Sequence, residues 1–305
     1  MPLNERSLRL MSMALVTALI LLVATHIMLK PSAGKFLAGP ALPAKASSFE
    51  LNRGSDTWKF RRNGYRWELS EPFSYRADSA SIDAFLGLLP DAAISETLSS
   101  SGKADAEFGL GGEGSLRIRV CDDMGRSLLE FASGKPGPEP DSFFCLLKGK
   151  EVRLVSGLSR SLLGRGFWEW LDRTAAPLPG GPEYADIKRH GAPAVRVLQE
   201  QGIWKFSVAG SPAVALSTAS AADFLLALVP GLEAEALAPY EPLDGKDTEV
   251  VLELKAAGPA LPYVFNIGKA SGGYRRAVKA GEAKVSYLLS ADKLDALLRL
   301  RANPK

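Results

Sequence analysis

The second half of the sequence repeats the order of motifs found in the first half. The segment from Gly54 to Ser70, which contains Trp67, aligns without a gap to the segment from Gly191 to Ser207, which contains Trp204. In both copies an extended run, a short turn and the Trp-centred run alternate between apolar and polar residues, which predicts a β-hairpin with one apolar face. A chain made of two copies of one unit is expected to fold as two related modules.

A helix is predicted next in each copy. The segment Ser79–Pro90 carries apolar residues at i, i+3, i+4 and i+7, which is the spacing of one helix face. Pro90 and Pro230 then end the two helices at the same place, since proline cannot continue a helix. The predicted apolar faces are Ile82, Phe85, Leu86 and Leu89 in the first copy, and Ala222, Leu225, Leu226 and Val229 in the second.

Strand pairs follow the helix. Leu116–Val120 alternates as a half-buried strand does, and Val250–Leu254 is its counterpart. Each is followed by a second strand that ends in Gly-Lys, at Gly134 and at Gly268, and then by two more short strands. Each copy closes with a predicted helix, Ser159–Asp172 in the first and Ser290–Arg301 in the second.

An apolar run precedes both copies. Leu10–Leu29 contains no formal charge, and twenty helical residues span roughly 30 Å, the thickness of a bilayer core. Arg6 and Arg9 precede the run, which favours a cytoplasmic N-terminus. A cleaved signal peptide is the alternative, but the run is long for one, and the small-x-small site at Ala44–Ala46 lies far behind it. We expect an uncleaved transmembrane helix.

Together these features predict the α+β fold class. The expected architecture is an N-terminal transmembrane helix followed by two tandem β-β-α-β-β-β-β-α modules with mostly antiparallel sheets. The Pro- and Gly-rich stretch from Ala175 to Pro182 marks the boundary between the modules. The predicted segments are a cytoplasmic tail at 1–9, the transmembrane helix at 10–29, a flexible stalk at 30–47, module 1 at 48–178 and module 2 at 179–305. The modules are expected outside the cytoplasm, at the inner membrane of a bacterium.

Composition argues against two function classes. The formal net charge is +3 and no basic stripe interleaved with aromatic residues occurs, so we expect no nucleic-acid partner. The chain has two Cys and two His, which leaves little material for a metal site. We therefore predict no metal and no cofactor.

Three sequence features were weighed as catalytic or binding sites. Gly109–Gly114 has the letters of the dinucleotide-binding pattern, but a strand follows it where a helix is required, so a glycine-rich loop is the better interpretation. His190 lies alone in a predicted loop, and Asp122 and Asp123 lie in a predicted turn. No activated nucleophile accompanies them. We therefore predict no catalytic residue and a protein that is not an enzyme.

The sequence also predicts the state of the two cysteines and the surroundings of two tryptophans. Cys121 and Cys145 fall on the first and third strands of a predicted meander, about 10 Å apart, whereas a disulfide needs Cα atoms within about 7 Å. Two buried thiols are favoured, and a disulfide is the alternative.

Trp168 and Trp170 are two residues apart near a helix end, so they cannot both face one core. Packing is favoured for both, and contact of one with a partner or the membrane surface is the alternative.

Several short motifs, in their order along the chain, resemble those of a bacterial protein family whose function is unknown. They are Trp67-x-Leu69, Pro72, Ala77-Asp78 opening the helix to Leu89, Phe108-Gly109-Leu110 before the strand Leu116–Val120, and the helix Leu158–Leu171. Members of that family pair a transmembrane helix with a long extracytoplasmic region and are often encoded beside gliding-motility-type ABC transporter subunits. The resemblance covers residues 48 to about 175 well and the second module loosely, since the second copy lacks Phe-Gly-Leu. It implies no catalytic or ligand-binding residue.

The resemblance and the predicted topology lead to one favoured function. We expect a non-enzymatic, membrane-anchored auxiliary subunit of an ABC-type transporter or a related envelope complex, with permease and ATPase subunits as partners. One alternative is an extracytoplasmic module that binds an envelope polymer or peptide, for example by strand addition at a sheet edge. A second alternative is an uncharacterised hydrolase. The sequence does not predict the oligomeric state.

Overall fold

The fold is mostly antiparallel β-structure. The computed structural model describes residues 35–95, 97–100, 106–110, 115–147, 151–228 and 231–298, with 50% strand and 14% helix. The predicted α+β fold class is therefore wrong. One reason is the predicted helix Ser159–Asp172, which forms only a four-residue α-helix and a four-residue 3-10 helix. Gly166, which lies between them, has extended backbone angles and ends the helical path.

The predicted architecture also began with a transmembrane helix. Across the described ranges, no helix is long and apolar enough to cross a membrane. The segment Leu10–Leu29, where that helix was predicted, lies outside the described residues. The fold is corrected to two large sheets with short helices packed against them.

The first sheet has ten strands in the order β1-β6-β10-β9-β8-β7-β2-β3-β4-β5, and all its pairings are antiparallel. Its strands are β1 (Lys35–Phe36), β2 (Ser48–Arg53), β3 (Asp56–Asn63), β4 (Arg66–Glu71), β5 (Tyr75–Arg76), β6 (Ala93–Ile94), β7 (Leu116–Cys121), β8 (Ser127–Pro136), β9 (Ser142–Leu147) and β10 (Glu151–Ser156).

The second large sheet has nine strands in the order β15-β14-β13-β12-β18-β19-β20-β21-β17. A separate two-stranded sheet pairs β11 with β16. These strands are β11 (Thr174–Pro177), β12 (Pro182–Arg189), β13 (Val195–Glu200), β14 (Ile203–Val208), β15 (Val214–Ala215), β16 (Gly231–Glu233), β17 (Ala236–Pro239), β18 (Thr248–Ala256), β19 (Tyr263–Ser271), β20 (Tyr274–Lys279) and β21 (Val285–Ser290).

The strand order of the second sheet repeats that of the first. In each sheet a hairpin and a four-stranded meander flank one central strand, β2 in the first sheet and β12 in the second. Trp67 on β4 and Trp204 on β14 occupy equivalent strands. The central strands β2 and β12 were not predicted. In β12 the signal is weak, because the strand begins with Pro182 in the proline-rich linker and its other buried apolar side chains are those of Ala185 and Ile187.

Six short helical segments accompany the sheets in the described part of the chain. They are α1 (Leu42–Lys45), α2 (Ser79–Leu88), α3 (Arg160–Leu163), the 3-10 helix (Phe167–Trp170), α4 (Thr218–Leu228) and α5 (Ala291–Leu298). Asp78 caps α2 by accepting a hydrogen bond from the Ser81 backbone N–H at 3.0 Å. The buried face of α2 contacts Phe49 and the buried Trp170 through Phe85, with ring centroids 5.5–5.6 Å apart. One continuous apolar core runs through both modules.

The start of the described chain is packed against module 1. β1 pairs with β6, and Leu37, Leu42 and Ala46 are buried. The predicted flexible stalk at 30–47 is therefore part of the folded module from residue 35 onward. The short helix α1 buries Leu42, so this segment contributes an apolar side chain to the core.

Candidate binding groove at the module junction

The linker between the modules is itself a strand of a small sheet. β11 pairs with β16, so the last residues of module 1 are hydrogen-bonded to module 2. The two strands approach so closely that a Cβ at Gly231 would lie 2.6 Å from the Ala176 carbonyl oxygen. Glycine at position 231 is therefore required for this pairing.

A buried chain of hydroxyl groups joins the modules. The Tyr75 and Tyr287 hydroxyl oxygens lie 2.9 Å apart, and the Tyr287 hydroxyl also donates to Glu282 Oε1 at 3.1 Å. Burial raises the pKa of both tyrosines. Beside them, Lys284 Nζ donates to the Ser74 carbonyl oxygen at 2.8 Å. Both tyrosines therefore stay uncharged and connect β5 to β21.

Arg76 holds the linker against module 1. Its guanidinium donates to the Thr174 carbonyl oxygen at 2.5 Å and lies 3.4 Å from an Asp172 carboxylate oxygen. The Asp172 carboxylate also accepts from the Thr174 backbone N–H at 2.9 Å. These contacts fix the position where β11 leaves module 1.

Three adjoining clefts lie along this junction, and we name them together the junction groove. The central cleft has a volume of about 660 Å³, and the flanking clefts have volumes of about 550 and 350 Å³. The central cleft shares Glu68 and Arg76 with the larger flank, and Asp78 and Arg173 with the smaller one. Because neighbouring clefts share lining residues, the three form one continuous groove that takes its walls from both modules.

Most charged side chains of the central cleft are engaged within the protein. Arg76 pairs with Asp172, Arg173 donates to the Glu235 carbonyl oxygen at 2.9 Å, and Asp78 caps α2. Three exposed groups differ. Arg66 on module 1 stacks its guanidinium 5.2 Å from the Tyr65 ring centroid, Glu68 accepts from the Asn63 amide at 3.4 Å, and Glu233 lies on module 2. None of the three has an ion-pair partner among the described residues.

The residues weighed as catalytic do not lie in the groove. His190 is exposed in the loop after β12, where its backbone N–H donates to the Glu249 carbonyl oxygen at 3.0 Å. Asp122 shapes the β7–β8 turn by accepting from the Met124 and Arg126 backbone N–H groups, and Asp123 is exposed in the same turn. Within the described ranges, no group of three His, Cys, Asp or Glu side chains could hold a metal ion.

The glycine-rich segment is only partly described. Residues 111–114 lie outside the described residues. Gly109 has a positive φ of 69°, and the Phe108 carbonyl oxygen accepts from the Lys135 backbone N–H at 2.8 Å. The described part of the motif therefore packs against β8.

The two cysteines are buried free thiols, as predicted. Cys121 lies on β7 and Cys145 on β9, and β8 separates them in the sheet. Burial raises the pKa of the Cys145 thiol to about 12. A thiol with this pKa is neutral at physiological pH and is a poor nucleophile.

Trp168 and Trp170 face different surroundings. Trp170 is 1% exposed in the core, as its contact with Phe85 requires. Trp168 is half-buried, packs 5.2 Å from Trp58 and 6.0 Å from Phe73 between ring centroids, and lines the smaller flanking cleft. Both side chains pack on the same apolar core, Trp170 inside it and Trp168 at its edge, so the favoured packing of both is confirmed.

Sequence reasoning missed the groove residues Tyr65, Arg66, Arg173 and Glu233. The one signal for them was an aromatic residue at a hairpin turn, since Tyr65 lies in the β3–β4 turn and is 81% exposed. Arg66 and Glu233 come together only through the packing of the two modules.

The edges of the large sheets offer little room for strand addition. The outermost strands β1, β5 and β15 have two residues each, and β17 has four. Short edge strands are a common protection against pairing with another chain. The junction groove is therefore a better candidate binding site than a sheet edge.

Comparison with protein families found one match. The model described as "Domain of unknown function (DUF4340)" matches residues 67–250, from β4 of the first module to β18 of the second. Comparisons with curated proteins and with solved structures found no match.

Proposed function

Because the chain belongs to the DUF4340 family, whose description names no function, we propose a function from its own geometry. The protein acts as a non-enzymatic auxiliary subunit that binds a partner in an ABC-type transporter or a related envelope complex. The observation that carries this proposal is the junction groove. Residues of both modules line it, and contacts within and between the modules hold its walls in position.

A braced groove suits binding. Tyr75 with Tyr287 and Arg76 with Thr174 hold the groove walls in place without a ligand. Binding to a preformed site avoids much of the ordering cost that a flexible site imposes. The groove also joins three clefts, which suits a partner segment that enters more than one of them better than a compact small molecule.

The identity of the partner rests on family resemblance. Motifs such as Trp67-x-Leu69 and Phe108-Gly109-Leu110 resemble those of proteins often encoded beside gliding-motility-type ABC transporter subunits. We therefore propose a permease and ATPase pair as the complex. Binding would take place on the extracytoplasmic side of the bacterial inner membrane.

Co-purification tests this function. The full chain, carrying an affinity tag, is isolated from native membranes in mild detergent, and retained proteins are identified by mass spectrometry. We expect a permease and an ATPase with the wild-type chain, and about tenfold less of both with Arg66→Glu, since loss of one charge-assisted contact weakens binding to this extent.

Lys188→Glu is the matched control, because Lys188 is exposed on β12 and does not line the groove. It should retain both subunits at the wild-type level. The proposal fails if the wild-type chain never retains a transporter subunit, or if the purified chain turns over a substrate on its own.

A further inference from the structure

We propose that the junction groove binds an extended peptide segment that carries both an acidic and a basic side chain. This inference rests on the proposed function and names the chemistry of the segment that the partner contributes. It follows from the signs of the charges that the groove leaves unpaired, from the charges of its walls and from its shape.

The central cleft presents available charges of both signs. Arg66 and Glu68 are exposed on the module 1 side, and Glu233 is exposed on the module 2 side. The other charged groups that line this cleft are held by ion pairs, caps or backbone carbonyls. A ligand that pairs with both Arg66 and Glu233 needs an anionic group toward module 1 and a cationic group toward module 2.

The carboxylates of the groove disfavour a polyanion. Glu68, Asp78, Asp172 and Glu233 line the central cleft together with only three arginines. A teichoic-acid-like or nucleic-acid-like chain would place repeated negative charges against these carboxylates, and like charges brought close together repel each other. A segment with balanced charges avoids this repulsion.

Aromatic exposure favours a peptide over a neutral glycan. A glycan groove would offer several exposed ring faces along its length. In the central cleft Tyr65 is exposed, and the Arg66 guanidinium already lies against its ring, whereas Trp67 is 1% exposed. The clefts instead present donors and acceptors that suit peptide backbone groups, such as the Arg173 guanidinium and the Glu68 carboxylate.

The test uses synthetic peptides. Five fluorescein-labelled peptides of about twelve residues, about 40 Å long when extended, share a Gly/Ser/Thr background. Two carry Asp and Lys in opposite orders, one carries two Asp, one carries two Lys and one is uncharged. Binding to the purified full chain is measured by fluorescence anisotropy. We expect one Asp/Lys order to bind about tenfold more tightly than any other peptide, since it alone pairs with both Arg66 and Glu233.

A charge exchange in the protein sharpens the test. In the double variant Arg66→Glu with Glu233→Arg, the preferred order of Asp and Lys should reverse. Lys188→Glu should leave the preference unchanged. Both changed residues are exposed, so the thermal midpoint of the double variant should stay close to that of the wild type, which confirms folding.

Three results would overturn the inference: equal affinity for all five peptides, a preference that does not reverse in the double variant, or binding of the neutral hexasaccharide chitohexaose with no binding of peptides. The proposed function is judged separately. If co-purification succeeds while the peptides fail, only the nature of the ligand is wrong. If an Asp/Lys peptide binds but no transporter subunit is retained, the groove stands and the transporter assignment falls.

Discussion

Cys145 shows how strongly a single position in the first sheet is enclosed. It lies on β9 between β8 and β10, is 0% exposed, and its pKa is raised to about 12 by burial. The ordinary pKa of the thiol is 9.0. The folded protein therefore keeps a proton on Cys145 over a range of pH in which the unfolded chain has lost it.

This proton makes stability depend on pH in the alkaline range. Between about pH 9 and 12 the unfolded chain binds fewer protons than the folded protein at this site, so the free energy of unfolding falls as pH rises. The loss approaches about 1.4 kcal/mol per pH unit. Urea denaturation at pH 7, 9 and 10 should show this fall, and Cys145→Ala should reduce its slope between pH 9 and 10.

The comparison uses the slope and not the absolute stability, because the smaller Ala side chain destabilises the protein at every pH. Tyr75 and Tyr287 also have raised pKa values, and because their ordinary pKa is 10.0 they add to the fall from about pH 9 upward. Both tyrosines are present in the wild type and in the variant, so their contribution cancels in the comparison of slopes. An unchanged slope between pH 9 and 10 in the Cys145→Ala variant would contradict the prediction.

Single-residue predictions succeeded where the strand pattern decided the outcome. The buried thiols followed from two non-neighbouring strands. Arg66 and Glu233 gave no such pattern. They are ordinary polar surface residues in the sequence, and only the packing of one module on the other places them in the same cleft.

At the scale of elements, the Phe108-Gly109-Leu110 motif packs against β8, and we call this segment the clasp. Leu110 is buried beside Gly134, and the rings of Phe108 and Phe144 have centroids 4.7 Å apart. The second module lacks this motif, yet the equivalent Gly268 has Leu243 at its surface, with 3.4 Å between the Leu243 side chain and a Cβ built on the glycine. A leucine from the preceding loop thus covers this glycine in both modules.

Gly134 should tolerate no side chain. A Cβ there would lie 2.3 Å from the Phe108 carbonyl oxygen, so Gly134→Ala forces the clasp away from the sheet. We expect a loss of about 1–3 kcal/mol in the free energy of unfolding, measured by urea denaturation.

Gly87→Ala is the matched control for this prediction. Gly87 lies in α2, is exposed and has no atom within 4 Å of a built Cβ. Alanine there favours the helix, so a gain of about 0.5–1 kcal/mol is expected. Equal effects of the two substitutions would show that the clasp does not restrict position 134.

In the second copy, the predicted buried face of the helix α4 is shifted by one residue from the observed face. The predicted face of α4 included Ala222, but Ala222 is exposed, and the buried apolar side chains among those described in α4 are Phe224 and Leu228. The predicted face residue Val229 lies outside the described residues. Ser217 accepts from the Ser220 backbone N–H at 3.2 Å, as Asp78 does from Ser81 in the first copy. Matching these caps would have placed the face correctly, whereas the apolar spacing alone allowed the shift.

At the scale of the whole molecule, the tyrosine pair couples the modules. The Tyr75 and Tyr287 hydroxyls are buried partners, so removing either one breaks the bond between them, and removing Tyr287 also breaks its bond to Glu282. We expect Tyr75→Phe and Tyr287→Phe each to lower the free energy of unfolding by about 1–3 kcal/mol. The double variant should lose about 1 kcal/mol less than the sum of the two, because no hydroxyl is then left unsatisfied at the pair.

Tyr65→Phe provides the control for this cycle, since Tyr65 is exposed and its hydroxyl has no hydrogen-bond partner within the described ranges. Its effect should stay within about 0.5 kcal/mol. Strictly additive losses in the cycle, measured by chemical denaturation, would mean that the two hydroxyls are independent.

The repeated order of elements could be predicted from the sequence, because aligned blocks occur in the same order in both halves. The placement of one module on the other could not. It depends on contacts such as Lys284 with Ser74 and Arg173 with Glu235, which join residues far apart in the chain without any repeating pattern. The junction groove is a product of that placement.

The linker strand β11 is hydrogen-bonded to module 2 although it precedes the turn at 178–181 where module 2 begins. A boundary drawn at this turn to produce the modules separately would therefore divide one ladder between two fragments. The N-terminal fragment would keep an unpaired β11, and the C-terminal fragment would expose Gly231 and the otherwise buried Leu232. Two such fragments made in one cell are complementary halves of a split protein, whose reassembly would report that both are present.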